Sequence, residues 1–201
     1  MKTVDFEQLS SLKRINVVGT SGSGKTTFAR ELAELLNLPC CEMDQLFWKT
    51  DWRESSYEEL FRKVREVTSQ RRWVLDGNYT RTTPIKWEQV QLVIWLDLSF
   101  VRTVFRVSKR TIHRAFTQQE LWPGTGNRES LAKAFLSRES VIWWAITTHR
   151  KNRQKYRAMM NSPEYSSIQF LRLRSPKNIA YLLEGLRQVA VQSHTPKLSA
   201  T

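Results

Sequence analysis

The octapeptide GTSGSGKT, residues 19–26, sets glycines, hydroxyls and one lysine at the spacing G-x-x-x-x-G-K-S/T. Such a loop suits a polyphosphate: its backbone N–H groups curl around phosphoryl oxygens, Lys25 reaches the β- and γ-phosphates, and Thr26 offers a hydroxyl to Mg²⁺. Gly19, Ser21, Gly22, Ser23, Gly24, Lys25, Thr26 and Thr27 are therefore the predicted nucleotide-binding residues, with ATP and Mg²⁺ as predicted cofactors. A metal on a bound nucleotide needs a second protein oxygen, usually from an Asp that ends a neighbouring apolar strand. VLDGNYTR, residues 74–81, supplies one: Trp73, Val74 and Leu75 read as strand, Asp76 ends it, and Gly77 and Asn78 turn the chain. Asp97, after LVIWL, is the competitor, although at the start of LDLS it could instead cap the next helix.

Gly77 stands where many motor-type ATPases carry an acid that activates water, and the D-x-x-G and N-K-x-D signatures of GTPases are missing. These features predict transfer to a bound acceptor rather than hydrolysis. Arg102, Arg106, Arg110 and Arg114 recur at every fourth position. On a helix of about 3.6 residues per turn each step drifts by about 40°, so they form one slanting stripe. Like charges so spaced repel by roughly 0.2–0.5 kcal/mol per pair, which favours an anion beside them; the alternative is a solvated basic face.

These groups need a scaffold. RINVV (14–18) reads as a strand and FARELAELL (28–36) as a helix, so the glycine-rich loop lies between strand and helix, where the helix N-terminus faces the anion. PCCEMD (39–44), WVLD (73–76), LVIWLD (92–97) and SIQFLRL (167–173) are further strand candidates, with helices over 56–67 and from Pro176. The alternation predicts an α/β three-layer fold with a five-stranded parallel sheet. One domain over 1–191 and a loose polar tail over 192–201 are expected, with no internal repeat.

The chain has 201 residues, 40% of them hydrophobic, which suits a globular domain with a proper core. The longest apolar run, VIWWAI (141–146), is far short of the roughly 20 residues that span a bilayer, and no secretory leader is evident at the N-terminus. A cytoplasmic protein is expected. Cys40 and Cys41 are adjacent and read as small buried hydrophobes on a strand. The formal charge of +13 implies an anionic partner, and residues 101–160 hold thirteen Lys or Arg against three Glu. His113, His149 and His194 show no metal-ligand spacing.

GTSGSGKT, MDQLFW (43–48), LDGNYTR (75–81) and the arginine-rich segment together resemble the adenylate-kinase-like P-loop kinases, particularly the small group labelled topology-modulation proteins. The resemblance spans roughly residues 14–186. It implies an ATP-dependent phosphotransferase with a small helical lid, over about 115–150, whose acceptor is a nucleoside monophosphate or another small metabolite. In nucleoside monophosphate kinases an Asp-Gly-aromatic-Pro-Arg element holds Mg²⁺ through water and grips the acceptor's phosphate. Here Asn78 and Tyr79 replace the aromatic-proline pair and Arg81 is displaced by one residue, so the acceptor does not carry over; Gly77, Tyr79 and Arg81 remain the matching positions. Asp44 resembles the acceptor-facing Asp of shikimate and gluconate kinases, where it would orient a hydroxyl and take its proton, or else it caps a turn. Phe47, Trp48 and Trp52 would wall an acceptor pocket or be plain core.

The resemblance also implies that Arg106 and Arg110, then Arg150 and Arg153, close over the transferring phosphoryl group. TQQELWPGTGNRES (117–130), with Pro123, Gly124 and Gly126, would be the lid's tip. The alternative readings are a nucleotide-gated nucleic-acid-binding protein, or a polynucleotide kinase, using segment 101–160.

Overall fold

A computed structural model describes residues 4–122, 124–130 and 140–194. β1 (Arg14–Gly19), β2 (Cys40–Glu42), β3 (Trp73–Asp76), β4 (Leu92–Leu96) and β5 (Gln169–Leu173) form one sheet in the order β2-β3-β1-β4-β5. Every pairing is parallel. β1 lies at the centre, and the chain leaves it first for one side of the sheet and later for the other. That reversal opens a crevice at the strands' carboxyl ends, where open α/β sheets bind ligands.

The apolar strands serve two cores because successive side chains point to opposite faces. Ile15, Val17, Leu92, Ile94 and Leu96 face α1 (Phe6–Ser11), α2 (Lys25–Leu35) and the C-terminal helix Pro176–His194, packing on Leu9, Phe28, Leu32, Leu182 and Leu186. Val18, Val93 and Trp95 face the other layer, with Leu60, Val64, Trp87 and Tyr156. That layer contains α3 (Met43–Phe47), α4 (Tyr57–Thr68) and α5 (Thr83–Lys86). Each large side chain so buried contributes about 1.5–3 kcal/mol, so double-sided burial fixes the strand registers that aim the loops.

α6 (Phe100–Thr117) and α7 (Val141–Met160) are long and pack on one another; the C-terminal helix is α8. Gln118, with a left-handed backbone, ends α6, and the Ser140 hydroxyl accepts from the Ile142 and Trp143 amides to start α7. Among the described residues no helix is long and apolar enough to cross a membrane.

Several expectations need correction. α1 was not anticipated; the Asp5 carboxylate caps it by accepting from Gln8 N. PCCEMD is strand only over Cys40–Glu42, because Met43 and Asp44 already begin α3. β2 is an edge strand, which leaves Cys40 exposed and Cys41 half-buried instead of in the core. Of the segment 115–150 expected to form a lid, residues 115–117 and 141–150 belong to the long helices. The segment's described tip is a tight turn closed by Leu121 N donating to Asn127 O, with Glu120 bridged to Arg128. Pro123, the lid stretch 131–139 with its Lys133 and Arg138, and tail residues 195–201 lie outside the described residues.

Candidate active site

The site is built where β1 passes into α2. Gly22 has φ 84° and a Cβ there would meet Thr103 O at 2.4 Å and Val107 Cβ at 2.9 Å, so α6 seats directly on the loop. Only glycine gives both this backbone and this approach. Gly24, with φ 91°, is the N-cap of α2, and the Arg106 guanidinium lies 3.5 Å from where its Cβ would be. Arg106 thus sits over a helix N-terminus, two sources of positive potential at one point. Ser23 is buried with its hydroxyl unpartnered, Ser21 is half-buried, and Thr27 is exposed in the first turn.

At the end of β3, Thr26 Oγ1 donates to Asp76 Oδ2 at 2.6 Å, while Asp76 Oδ1 is buried with no partner. Burial pushes Asp76 up to about 6; Lys25 and the Thr26 hydrogen bond pull it down, and Asp44 and Glu42 push it up. Burial likewise lowers the Lys25 ammonium; Asp76 and Asp44 oppose that and Arg110 adds to it. Two cations and two carboxylates therefore share one field beside the loop. An orphaned carboxylate oxygen next to a loop hydroxyl fits a hard, oxygen-seeking cation such as Mg²⁺.

Asp97 is equally buried but differently engaged. Its Oδ1 accepts from Arg153 Nε and its Oδ2 from Arg172 Nε, each at 2.8 Å. It neither caps α6, whose N-cap is Ser99, nor turns an unpaired oxygen toward the loop.

The predicted arginines divide. Arg110 is held low chiefly by burial and then by Arg114, against the pull of Glu129, Asp44 and Asp76, and its Nε is buried without a partner. Arg106 and Arg110 approach the loop from α6, ahead of the segment expected to form the lid. Arg114 pairs with Glu129 at 3.5 Å, Arg153 with Asp97, and Arg150 is exposed on α7. Slanting along α6, the stripe turns from exposed Arg102 to half-buried Arg110.

Among the residues predicted to face an acceptor, Asp44 Oδ1 accepts from Tyr79 Oη at 2.7 Å, and burial with Asp44 nearby pushes the phenol's pKa up so that it stays a donor. Gly77 is buried beneath Met43. Arg81 turns away: it is exposed, its guanidinium 4.2 Å from the centre of the Tyr57 ring. Phe47, half-buried, packs against the core, and Trp48 and Trp52 continue from it in a half-buried ring cluster with Trp122.

Three contributors escaped the sequence reading. Asn78 Nδ2 donates to Gly19 O at 2.8 Å and its Oδ1 accepts from Gly19 N at 2.9 Å, tying the β3 turn to the loop; Tyr156 Oη donates to the same Oδ1. Lys86 is buried, donates to the Gly77 and Asn78 carbonyls, and is pushed down to about 7 by burial and Lys155. Asn127, 1% exposed, accepts from Trp52 N at 2.9 Å and donates to Lys49 O at 2.8 Å. The position of Asn78 directly after Asp76-Gly77 was the available signal; for Lys86 and Asn127 there was none.

No family model matches the chain, and no curated protein sequence matches it. The fold is similar to a solved shikimate kinase from Acinetobacter baumannii in complex with shikimate, at 18% identity and a TM-score of 0.53, covering 94% of this chain and 98% of that one. It is also similar to shikimate kinase from Bacteroides thetaiotaomicron, at 13% identity and 0.51, covering 89% and 98%. The fold class is therefore the α/β architecture of the P-loop kinases, a five-stranded parallel sheet between helices.

Proposed function

We propose that the protein is an ATP- and Mg²⁺-dependent kinase that transfers the γ-phosphoryl group to a hydroxyl of a small acceptor. The observation that carries this is the Thr26–Asp76 hydrogen bond with its orphaned Asp76 Oδ1, set beside Lys25 at the mouth of a glycine-rich loop. Thr26 and Asp76 would hold Mg²⁺, which supplies charge neutralisation on the β- and γ-phosphoryl oxygens. Phosphoryl transfer asks for positioning and positive charge more than covalent help. The loop amides and Lys25 would grip the phosphates, and Arg110 and Arg106 would meet charge that develops during transfer. Asp44, held by Tyr79, would orient the acceptor hydroxyl and take its proton. A groove of about 590 Å³, lined by Glu31, Arg106, Pro176, Ile179 and Tyr181, adjoins the loop through Arg106 and would take the nucleoside.

A small acceptor is favoured over a polynucleotide because the arginine stripe turns inward and is in part ion-paired. A nucleoside monophosphate is not favoured, because Arg81 lies on Tyr57. The finer likeness to topology-modulation proteins rests on the motifs alone and adds no mechanism. The test is an acceptor screen with purified protein and MgATP, following ADP release. Release that depends on an acceptor hydroxyl and falls at least about 100-fold in Lys25→Ala supports the reading; turnover indifferent to Lys25 contradicts it.

A further inference from the structure

Three tryptophans from two separate segments meet beside Asp44. The rings of Trp48 and Trp122 are nearly parallel, 15° apart with centroids at 6.5 Å. Trp52 stands across both, at 75° and 78°, with centroids 5.6 and 5.8 Å away. Two walls and a perpendicular floor make a narrow three-sided cleft, a tryptophan box about 3 Å clear between the wall faces, wide enough for a primary ammonium, and all three residues are half-buried. Phe47 and Tyr79 continue the ring series toward Asp44, with centroid steps of 4.9 and 5.1 Å. Asp44 and Trp48 lie four residues apart across α3, about 6 Å along its axis.

The box is held on purpose. Asp51 and Trp52 both have left-handed backbones, φ 58° and 57°, a conformation costly for residues other than glycine. The buried Asn127 of the lid turn pins this segment through Trp52 N and Lys49 O. The lid that brings Trp122 to the box therefore also fixes Trp52.

The charges around the box run against the rest of the chain. In a protein of formal charge +13, Asp51 and Glu54 are exposed and form no ion pair with a described cation, while exposed Asp44 lies in the field of Lys25 and Arg110. Glu54 is bridged through its backbone to Trp48, and its charge reaches Tyr79. Among the described residues Lys49 pairs with Glu59 and Arg114 with Glu129, while Arg53 donates to the neutral Thr50 and keeps its charge in solvent. Tryptophan faces on a segment that also carries Asp51 and Glu54, without ion-pair partners among the described residues, suit an organic cation.

We propose that Trp48, Trp52 and Trp122, with Asp51 and Glu54, form the acceptor's specificity subsite, and that the acceptor is a hydroxylated amine bound as its ammonium ion. Its head sits in the box and its hydroxyl reaches Asp44. This rests on the kinase reading. In the transfer, the hydroxyl oxygen bonds to the γ-phosphorus while the bond from that phosphorus to the β–γ bridging oxygen breaks. ADP leaves with that electron pair, and the hydroxyl proton passes to the Asp44 carboxylate and then to solvent.

The test measures binding by tryptophan fluorescence and calorimetry, with Mg²⁺ and a non-hydrolysable ATP analogue present. Two matched pairs are titrated: ethanolamine against its neutral isostere 1-propanol, and glucosamine against glucose. In at least one pair the cation is expected to quench tryptophan fluorescence and bind about tenfold or more tighter than its neutral partner. Trp122→Leu and Glu54→Gln should shrink that preference while leaving the ATP analogue bound. The proposal is overturned if neither pair favours the cation, or if both variants keep the full preference. Absence of analogue binding in the wild-type protein would instead sink the kinase reading, so the two failures are distinct.

Discussion

Asn78 and Gly19 hydrogen-bond each other twice, the side-chain amide of one matching the backbone N–H and C=O of the other at 2.9 and 2.8 Å. The pair extends the contact between β3 and β1 two residues beyond the last registered strand pair, Val17 and Asp76. It sets Asp76, two residues earlier, in register with the loop that carries Thr26.

Asn78→Ala removes both bonds and leaves the Gly19 groups half-buried without a partner. Stability should fall by about 1–3 kcal/mol in urea melts. Because the loop loses its anchor to β3, kcat/KM for MgATP should fall by about tenfold or more. Unchanged kinetics with lowered stability would reduce Asn78 to a purely structural role.

Asp76→Asn and Asp97→Asn should separate cleanly. The first removes a charged oxygen from the loop and should raise the Mg²⁺ concentration needed for half-maximal activity by about tenfold or more. The second strands two guanidinium groups and should cost about 3 kcal/mol with little change in the metal requirement. Metal titrations and thermal melts on both variants check this; the reverse ranking would assign the ion to Asp97.

Without metal, the raised Asp76 carboxyl makes a pH signature. Its ordinary value is near 3.8 and its folded value about 6, so the folded protein binds the extra proton between these limits. Stability of the metal-free protein should therefore rise as pH falls from 7 toward 4 by this contribution, and the cost is fully present above about pH 6. Asp76→Asn should accordingly stabilise the metal-free protein at pH 7.5 by about 1–3 kcal/mol, while gaining less than wild type from added MgADP. A variant less stable than wild type at pH 7.5 would contradict the burial argument.

The arginines should divide in function as they do in space. Arg110→Ala and Arg106→Ala should lower kcat, by up to about 10³ where the guanidinium meets transition-state charge. Arg150→Ala should change it less than about twofold, and Arg153→Ala should destabilise by uncovering Asp97. DNA binding measured against salt should keep its slope in Arg110→Ala; a slope reduced by about one, with kcat intact, would favour the nucleic-acid reading.

The five strands and the loop were legible because both leave local marks: apolar runs that end in glycine or aspartate, and a lysine at fixed spacing. Asp76 could be ranked above Asp97 for the same reason, since Gly77 and Asn78 announce a turn. What the sequence hid was long-range pairing. Nothing local says that Arg172 and Arg153 converge on Asp97, or that Arg81 lies on Tyr57 rather than in the acceptor pocket. The length of α6 was also hidden, as was the seating of Thr103 and Val107 against the loop that positions this helix. Trp122 and Asn127 belong to a segment whose partners are some 75 residues away, beyond the reach of any periodicity.

The central claim is phosphoryl transfer to a hydroxyl, and phosphorus NMR of the protein incubated with MgATP and a pool of hydroxylated amines, sugars and acids reads it directly. The account predicts a phosphomonoester resonance that grows in step with ADP and is lost in Lys25→Ala. ADP accompanied only by inorganic phosphate, or a phosphomonoester formed equally by Lys25→Ala, would contradict it.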